Sequence, residues 1–154
     1  MPLNSHSFKR QRKSQAGIGL IEILISLLVL SVGLLGLASM QANGLKHNRN
    51  AYFRTQATIL AYDIADRMRA NSTQAETGAY VESYGAASGS ACSSNCTPAQ
   101  ISATDLIQWK ANLANQLPSG DGKVEDNGSN NFDITIKWSD GDNNTPELTL
   151  GVQL

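Results

Sequence analysis

The stretch GIGLIEILISLLVLSVGLLGLASM, residues 17–40, decides the organisation of this chain of 154 residues. Residues 18–40 form a run of 23 residues in which Glu22 is the one charged side chain. A helix of about 20 apolar residues crosses the hydrocarbon core of a bilayer, so this run predicts a membrane span. A carboxylate in such a span costs roughly 2.5 to 3.5 kcal/mol at the bilayer centre and less near an end, which marks Glu22 as functional.

The residues before the span predict its orientation. Four basic side chains precede it with no acid to offset them: Lys9, Arg10, Arg12 and Lys13. This favours a cytoplasmic N-terminus and export of everything after the span. Three further basic residues between positions 46 and 54 weaken the preference without reversing it.

A secretory signal is the alternative reading of the same run, because Gly36-Leu37-Ala38 is a passable site for a signal peptidase. The apolar region of such a signal is about 7 to 15 residues long and has no use for a carboxylate. Cleavage before the run, after Gly17, explains both its length and Glu22.

Residues 17–22, with the short basic leader before them, resemble the start of a type IV prepilin. The resemblance implies that prepilin peptidase cleaves after Gly17 and methylates the new amino terminus of Ile18. Glu22 then matches the acidic residue that the family carries at its fifth mature position. Ile18 stands where phenylalanine is commonest, and Gly19 where a hydroxyl or small residue is usual.

Elementary electrostatics agrees with this role. The freed amino group of Ile18 is positive, and the Glu22 carboxylate of a neighbouring subunit can neutralise it. Each charge is costly alone in a medium of low dielectric constant, and the pair is tolerable, so pairing favours the assembled state. The alternative is that Glu22 only reaches the membrane surface with its side chain.

Helical periodicity continues beyond the span, and no proline occurs between Pro2 and Pro98. We therefore expect one helix over residues 18–71, roughly 80 Å long at 1.5 Å per residue. Its second half, residues 41–71, is amphipathic and carries Asp63 with Arg67 and Asp66 with Arg69 at spacings that favour ion pairs. With a leader at residues 1–17 and a membrane half at 18–40, residues 72–154 remain as an exported head.

The head begins with a stretch rich in Ser, Gly, Ala and Thr, residues 72–94, which predicts a long loop with at most one short strand. Cys92 and Cys96 follow, separated by three residues. In an exported domain such close cysteines favour a disulfide. A metal or redox pair is the alternative, but the exported part offers only His47 as a further soft ligand.

A second helix and a sheet complete the predicted fold. Thr97, Pro98 and Gln100 form a start signal with a capping box, and Pro118 with Gly120 ends the helix. Its apolar face is predicted from one periodic set: Ile101, Leu106, Trp109, Leu113 and Leu117. Residues 132–138 and 148–152 alternate as two antiparallel strands, and 123–125 can add an edge strand. The fold class is α+β, with the long N-terminal helix packed on the small domain.

Other chemistry finds little support in the sequence. Residues 140–144 resemble the opening of a calcium loop, but Thr145 and Gly151 stand where glycine and glutamate are expected. No exported Ser or Cys has a plausible histidine base, so we expect no enzyme, no catalytic residue and no cofactor. Removal of the leader leaves 8 basic and 13 acidic residues, a net charge of about −5, which argues against a nucleic-acid partner.

Further motifs are similar to the PilV-type minor pilins: residues 27–38, 54–57, 61–71 and 96–109. That resemblance implies a low-abundance subunit that works with prepilin peptidase, other minor and major pilins, and the inner-membrane assembly platform. It would prime pilus assembly and influence twitching motility and adhesion. The chain would lie in membrane lipid before assembly, and in an extracellular pilus, near its tip, afterwards. A minor pseudopilin of type II secretion and a membrane-anchored periplasmic binding protein are the alternatives.

Overall fold

The computed structural model describes residues 19–141 and 144–154. Within these residues the structure has three helices and three strands: α1 Leu20–Ala70, α2 Ser72–Glu76, α3 Pro98–Gln116, β1 Asp121–Asp126, β2 Asn131–Lys137 and β3 Glu147–Gln153. The α+β class and the long N-terminal helix of 51 residues are therefore confirmed. The chain divides into two compact units, Met1–Gly44 and Leu45–Leu154.

The sheet is an antiparallel meander in the order β1-β2-β3. Ile134 on the central strand lies opposite Val124 on β1 and Leu150 on β3. Alternate residues of each strand point to the same face, so this register gathers the apolar side chains on one side of the sheet. The predicted hairpin and its additional edge strand are confirmed.

The core of the head joins the second half of α1, α3 and the apolar face of the sheet. Trp109 has no exposed surface and donates its indole N–H to the carbonyl of Leu60, 2.9 Å away, which ties α3 to α1. A Cβ on Gly122 would lie 2.6 Å from the Trp109 ring, so β1 needs a glycine where it passes the indole. The prediction that Trp109 belongs to the core is confirmed.

Helix α3 starts as the sequence predicts, but the residues on its buried face differ from the predicted set. Thr97 is the N-cap, Pro98 opens the helix, and Thr97 with Gln100 forms the capping box. The placement of Ile101 on the buried face was wrong, because its side chain is 40% exposed and Ser102 is buried instead. Ser102 lies four residues before Leu106 on the same helical face, whereas a five-residue separation turns Ile101 by about 140°.

The predicted long loop over residues 72–94 was wrong in its first part. Ser72–Glu76 forms the short helix α2, which buries Ala75 and whose N-cap residue Asn71 makes no side-chain capping hydrogen bond. Beyond it, Glu82 pairs with Val124 in an isolated antiparallel bridge along β1. Tyr80 is fully buried. The segment between α2 and α3 therefore packs against the rest of the head over part of its length.

Candidate assembly helix and the head that carries it

Glu22 lies in the first turn of α1, where its backbone N–H donates to the carbonyl of Gly19 at 2.9 Å. The positive end of a helix dipole favours a carboxylate at this position. Glu22 is also the one charged residue from Gly19 through Leu45. The predicted cleavage site at Gly17 and the predicted methylation site at Ile18 lie outside the described residues. The pairing of Glu22 with Ile18 remains a prediction.

The first part of α1 exposes apolar side chains on every side. Its large apolar residues between Leu20 and Met40 are each about half exposed or more. By length and composition α1 is able to cross a membrane. Ser26 and Ser31 donate their hydroxyls to the carbonyls four residues earlier, Glu22 and Leu27, at 2.7 and 2.6 Å. Both hydroxyls are thereby satisfied within the helix, as an apolar environment requires.

An ion-pair network fixes α1 against α3 in the head. The Arg67 guanidinium donates to Asp63 at 3.2 Å, to Asp105 at 3.0 Å and to Gln108 at 2.9 Å. Burial alone would lower the pKa of Arg67, but the two carboxylates outweigh it and raise the pKa. The predicted pair of Asp63 with Arg67 is confirmed, and so is that of Asp66 with Arg69 at 2.8 Å.

Tyr80 joins this network from the segment that follows α2. Its hydroxyl donates to Asp105 at 2.7 Å, and burial followed by that hydrogen bond raises the pKa of Tyr80 above its ordinary value. Asn71 donates to the Tyr80 oxygen at 3.3 Å and to the carbonyl of Pro98 at 2.9 Å. The end of α1, the start of α3 and Tyr80 are therefore held together by polar contacts as well as by the core.

Lys110 is a second anchoring point that the sequence reasoning missed. Only 8% of its side chain is exposed, and its ammonium donates to Asp121 at 2.9 Å, to the carbonyl of Ser83 at 2.6 Å and to that of Gly122. One signal could have found it: Lys110 lies four residues after Leu106 and three before Leu113, on the face predicted to be buried.

Asp121 is the carboxylate that balances Lys110. Burial alone would raise the pKa of Asp121, but hydrogen bonds from Lys110 and from the N–H groups of Gly85 and Gly122 outweigh it and lower the pKa below 3.8. Nearby, Glu82 accepts from the N–H groups of Ser83 and Ser88, at 3.2 and 2.9 Å. These charges fix the segment between α2 and α3, since a buried polar group is stable only when it is paired.

Cys92 and Cys96 form a disulfide with their Cα atoms 5.8 Å apart. The N–H of Cys92 donates to the Thr104 hydroxyl at 2.8 Å, which holds the cysteine loop against α3. Asn95 takes a left-handed conformation, φ +51°, inside the loop. Asparagine tolerates that conformation better than most residues do.

The turn that resembles a calcium loop is described in part, because residues 142 and 143 lie outside the described residues. Asn144 donates its side-chain amide to the Asp140 carboxylate at 3.3 Å, and Arg49 donates to the Asp140 carbonyl at 2.8 Å. Within residues 19–141 and 144–154, no group of three or more His, Cys, Asp and Glu side chains could hold a metal ion.

Two family models match this chain, and together they run from the leader into α3. The Prokaryotic N-terminal methylation motif matches residues 12–38, which include Gly17, Ile18 and Glu22. The model described as Type IV pilin Tt1218 matches residues 39–111. Both matches support the type IV pilin superfamily. Comparison with curated proteins and with solved structures gives no match.

The methylation motif implies processing by prepilin peptidase and assembly with other pilins. The motif and the apolar first part of α1 also suggest that the protein is anchored in a membrane before assembly. Type IV pilins are structural proteins. The pilin match ends within α3 at residue 111, so the three strands lie beyond it.

Proposed function

We propose that this protein is a minor type IV pilin of the PilV type, incorporated at low abundance to prime or support pilus assembly. Prepilin peptidase cleaves it after Gly17 and methylates Ile18, and the assembled subunit affects twitching motility and adhesion. One observation carries this proposal: Glu22 lies in the first turn of a helix that has no other charged residue before Lys46.

The surroundings of Glu22 explain why it would select the assembled state. Its neighbours Ile21 and Ile23 are apolar and exposed, so lipid or a neighbouring helix would surround the carboxylate with a medium of low dielectric constant. A carboxylate there needs a cation close by. The amino group of Ile18 on a neighbouring subunit supplies that cation once the leader has been removed. Cleavage thus creates the partner that assembly needs.

The proposal includes the position of the protein before and after assembly. Residues 1–17 are the leader, 18–40 the part of α1 in the membrane or filament core, 41–71 its amphipathic part, and 72–154 the head. Before assembly the N-terminus is cytoplasmic and the head periplasmic. After assembly the subunit lies in the extracellular pilus, near its tip.

Mass spectrometry of sheared pili tests this proposal. We expect a mature chain that starts at a methylated Ile18 and is present at a small fraction of the major subunit. A mature start at Ser39, an intact leader or absence from the pili would contradict it.

The variant Glu22→Ala tests the charge pair separately. We expect normal cleavage and reduced incorporation, because the variant removes one partner of the pair and leaves the cleavage site intact. Ser26→Ala is the matched control, since the Ser26 hydroxyl bonds only within its own helix. The amount of each variant in sheared pili is measured by immunoblotting. Normal incorporation of Glu22→Ala would refute the pairing.

A minor pseudopilin of type II secretion shares the same leader, Glu22 and long helix, so deletion of the gene is needed to separate the two functions. Loss of pili with normal secretion of exoproteins supports the pilin. Normal piliation with lost secretion supports the pseudopilin instead.

A further inference from the structure

The second half of α1 and the sheet border a small cavity in the head. Its volume is about 170 Å³, and its walls come from α1, from the end of β2 with the turn that follows, and from the start of β3. Six residues line it: Asn50, Arg54, Trp138, Asp140, Pro146 and Glu147. All of them belong to the unit Leu45–Leu154, so the cavity lies within one compact body.

Two buried polar atoms of this lining have no hydrogen-bond partner among the described residues. They are the indole N–H of Trp138, which is a donor, and the side-chain oxygen of Asn50, which is an acceptor. The backbone N–H of Trp138 donates to the carbonyl of Pro146 at 3.2 Å, which fixes the end of β2 beside the cavity. Buried donors and acceptors in folded proteins are nearly always paired, so one unpaired atom of each kind beside the same cavity indicates an occupant.

Trp109, the second tryptophan of the chain, shows what a satisfied indole looks like in this head. Its N–H donates to the carbonyl of Leu60 at 2.9 Å. Trp109 is fully buried and Trp138 is 4% exposed, so the two rings differ little in burial. A buried tryptophan normally finds a partner for its N–H. The missing partner of Trp138 is therefore a property of its site, where the neighbouring space is a cavity.

The charges around the cavity favour a neutral occupant. Arg54 and Glu147 are exposed lining residues of opposite sign. The third charged lining residue is Asp140, and Arg49 lies beside it, since its guanidinium donates to the Asp140 carbonyl at 2.8 Å. Two cations and two anions leave no net charge at the cavity, which offers no electrostatic advantage to an ion of either sign.

The unpaired atoms and the size of the cavity indicate the class of ligand. A hydroxyl group accepts one hydrogen bond and donates another, so it suits an indole N–H and an amide oxygen in the same lining. At roughly 30 Å³ for each water molecule, the cavity has room for about five or six waters. Sites for drug-sized ligands begin at about 300 Å³. The space therefore fits one sugar ring better than a nucleotide or a stretch of polypeptide.

We propose that this cavity binds one neutral sugar unit. Trp138 donates its indole N–H to a sugar hydroxyl, and the side-chain oxygen of Asn50 accepts from a hydroxyl. Arg54 and Glu147 offer a donor and an acceptor to the remaining hydroxyls. The sugar is a free monosaccharide or the end of a glycan. This binding goes beyond assembly into a pilus, because every residue that it uses lies in Leu45–Leu154.

The two indole N–H groups give separate nuclear magnetic resonance signals, which makes the test direct. The full-length protein, isotope-labelled at nitrogen in dodecylphosphocholine micelles that carry no sugar, is titrated with glucose, galactose, mannose and N-acetylglucosamine and with their methyl glycosides. We expect a saturable shift of the Trp138 signal with at least one of them, with a dissociation constant on the order of 1 mM, and no shift of the Trp109 signal. A response to a methyl glycoside assigns the end of a glycan, and a response to the free sugar alone assigns a monosaccharide. No saturable shift with any of these sugars, or equal shifts of both signals, would overturn the proposal and leave water as the occupant.

Two variants complete the test. Trp138→Phe keeps an aromatic ring and removes the donor, so the signal that disappears is that of Trp138. Asn50→Leu removes the acceptor at similar volume and should weaken binding roughly fivefold, as the loss of one hydrogen bond does. Asn48→Leu is the matched control, since Asn48 is an exposed residue of α1 outside the lining, and it should bind as the wild type does. An unchanged Trp109 signal shows that each variant is folded, and wild-type affinity of Asn50→Leu would refute the site.

Discussion

The two compact units of this protein differ in how their apolar side chains are covered. The described part of the first unit exposes apolar side chains in every direction and pairs the Ser26 and Ser31 hydroxyls within the helix. The second unit, Leu45–Leu154, gathers a core of apolar side chains, buries a paired lysine and partly buries a paired arginine. The first unit needs a partner or a membrane to cover it, whereas the second has a core of its own.

Gly17→Val should have the largest effect and should act on the first unit alone. The bulky side chain blocks the peptidase, so we expect complete loss of the mature chain and of incorporation into pili. The head should keep its fold, because its core lies in residues 57–152. Mass spectrometry of the membrane fraction reports the N-terminus, and recovery of a chain that starts at Ile18 would show the prediction to be wrong.

Trp109→Ala should have the largest effect on the second unit. The substitution removes a fully buried indole and its hydrogen bond to Leu60, which costs about 3 to 5 kcal/mol of the free energy of unfolding. Denaturant unfolding of the full-length protein in detergent measures the loss. Tyr52→Ala, on the exposed side of α1, is the matched control and should change stability by less than about 0.5 kcal/mol. Equal losses would contradict the division into buried and outer faces.

Lys110→Ala should follow, with a loss of about 3 kcal/mol, because Asp121 and two carbonyls lose their shared donor in a buried site. The pair of Lys123 with Glu125, whose side chains are 28% and 54% exposed, is the more solvated matched control. Lys123→Ala should cost at most about 1 kcal/mol, because water screens this pair more than it screens the pair of Lys110 with Asp121. Similar losses for the two lysines would show that burial does not determine how much each ion pair contributes to the free energy of unfolding.

The pH dependence of stability should show the smallest effect. The folded-state pKa of Asp121 lies below its ordinary value of 3.8, so its contribution is fully present above that pH and is lost as the pH falls through the lower folded-state pKa. Asp121→Asn removes this contribution. Urea unfolding between pH 5 and pH 2.5 should therefore give a shallower decline for the variant than for the wild type, and parallel declines would contradict the assignment.

The sequence predicted the helices and strands whose signals are periodic or lie within one short segment. The apolar run gave α1, the residues around Thr97 gave the start of α3, and strict alternation gave β2 and β3. Each of these signals lies within one continuous segment of the chain, and therefore needs no knowledge of the rest of the fold. The position of Glu22 five residues after Gly17 belongs to the same class of local signal.

The features that the sequence did not predict depend on contacts between distant segments. Helix α2 is five residues long and has no capping side chain. Its formation therefore depends on the burial of Ala75 in the head. Lys110 is charged, and only its acceptors at positions 83, 121 and 122 allow it to occupy a buried position. Tyr80 likewise needs Asp105, which lies 25 residues away. Propensity and periodicity contain no information on such partners.

The internal pairing of Ser26 and Ser31 has a consequence for a subunit that changes surroundings. Because the Ser26 and Ser31 hydroxyls have their partners within the helix, these two side chains exchange no hydrogen bonds when protein replaces lipid around them. Neither hydroxyl therefore adds a desolvation cost when the surroundings of the helix change. If the proposed function holds, the Glu22 carboxylate is then the group at which a change of surroundings costs the most free energy.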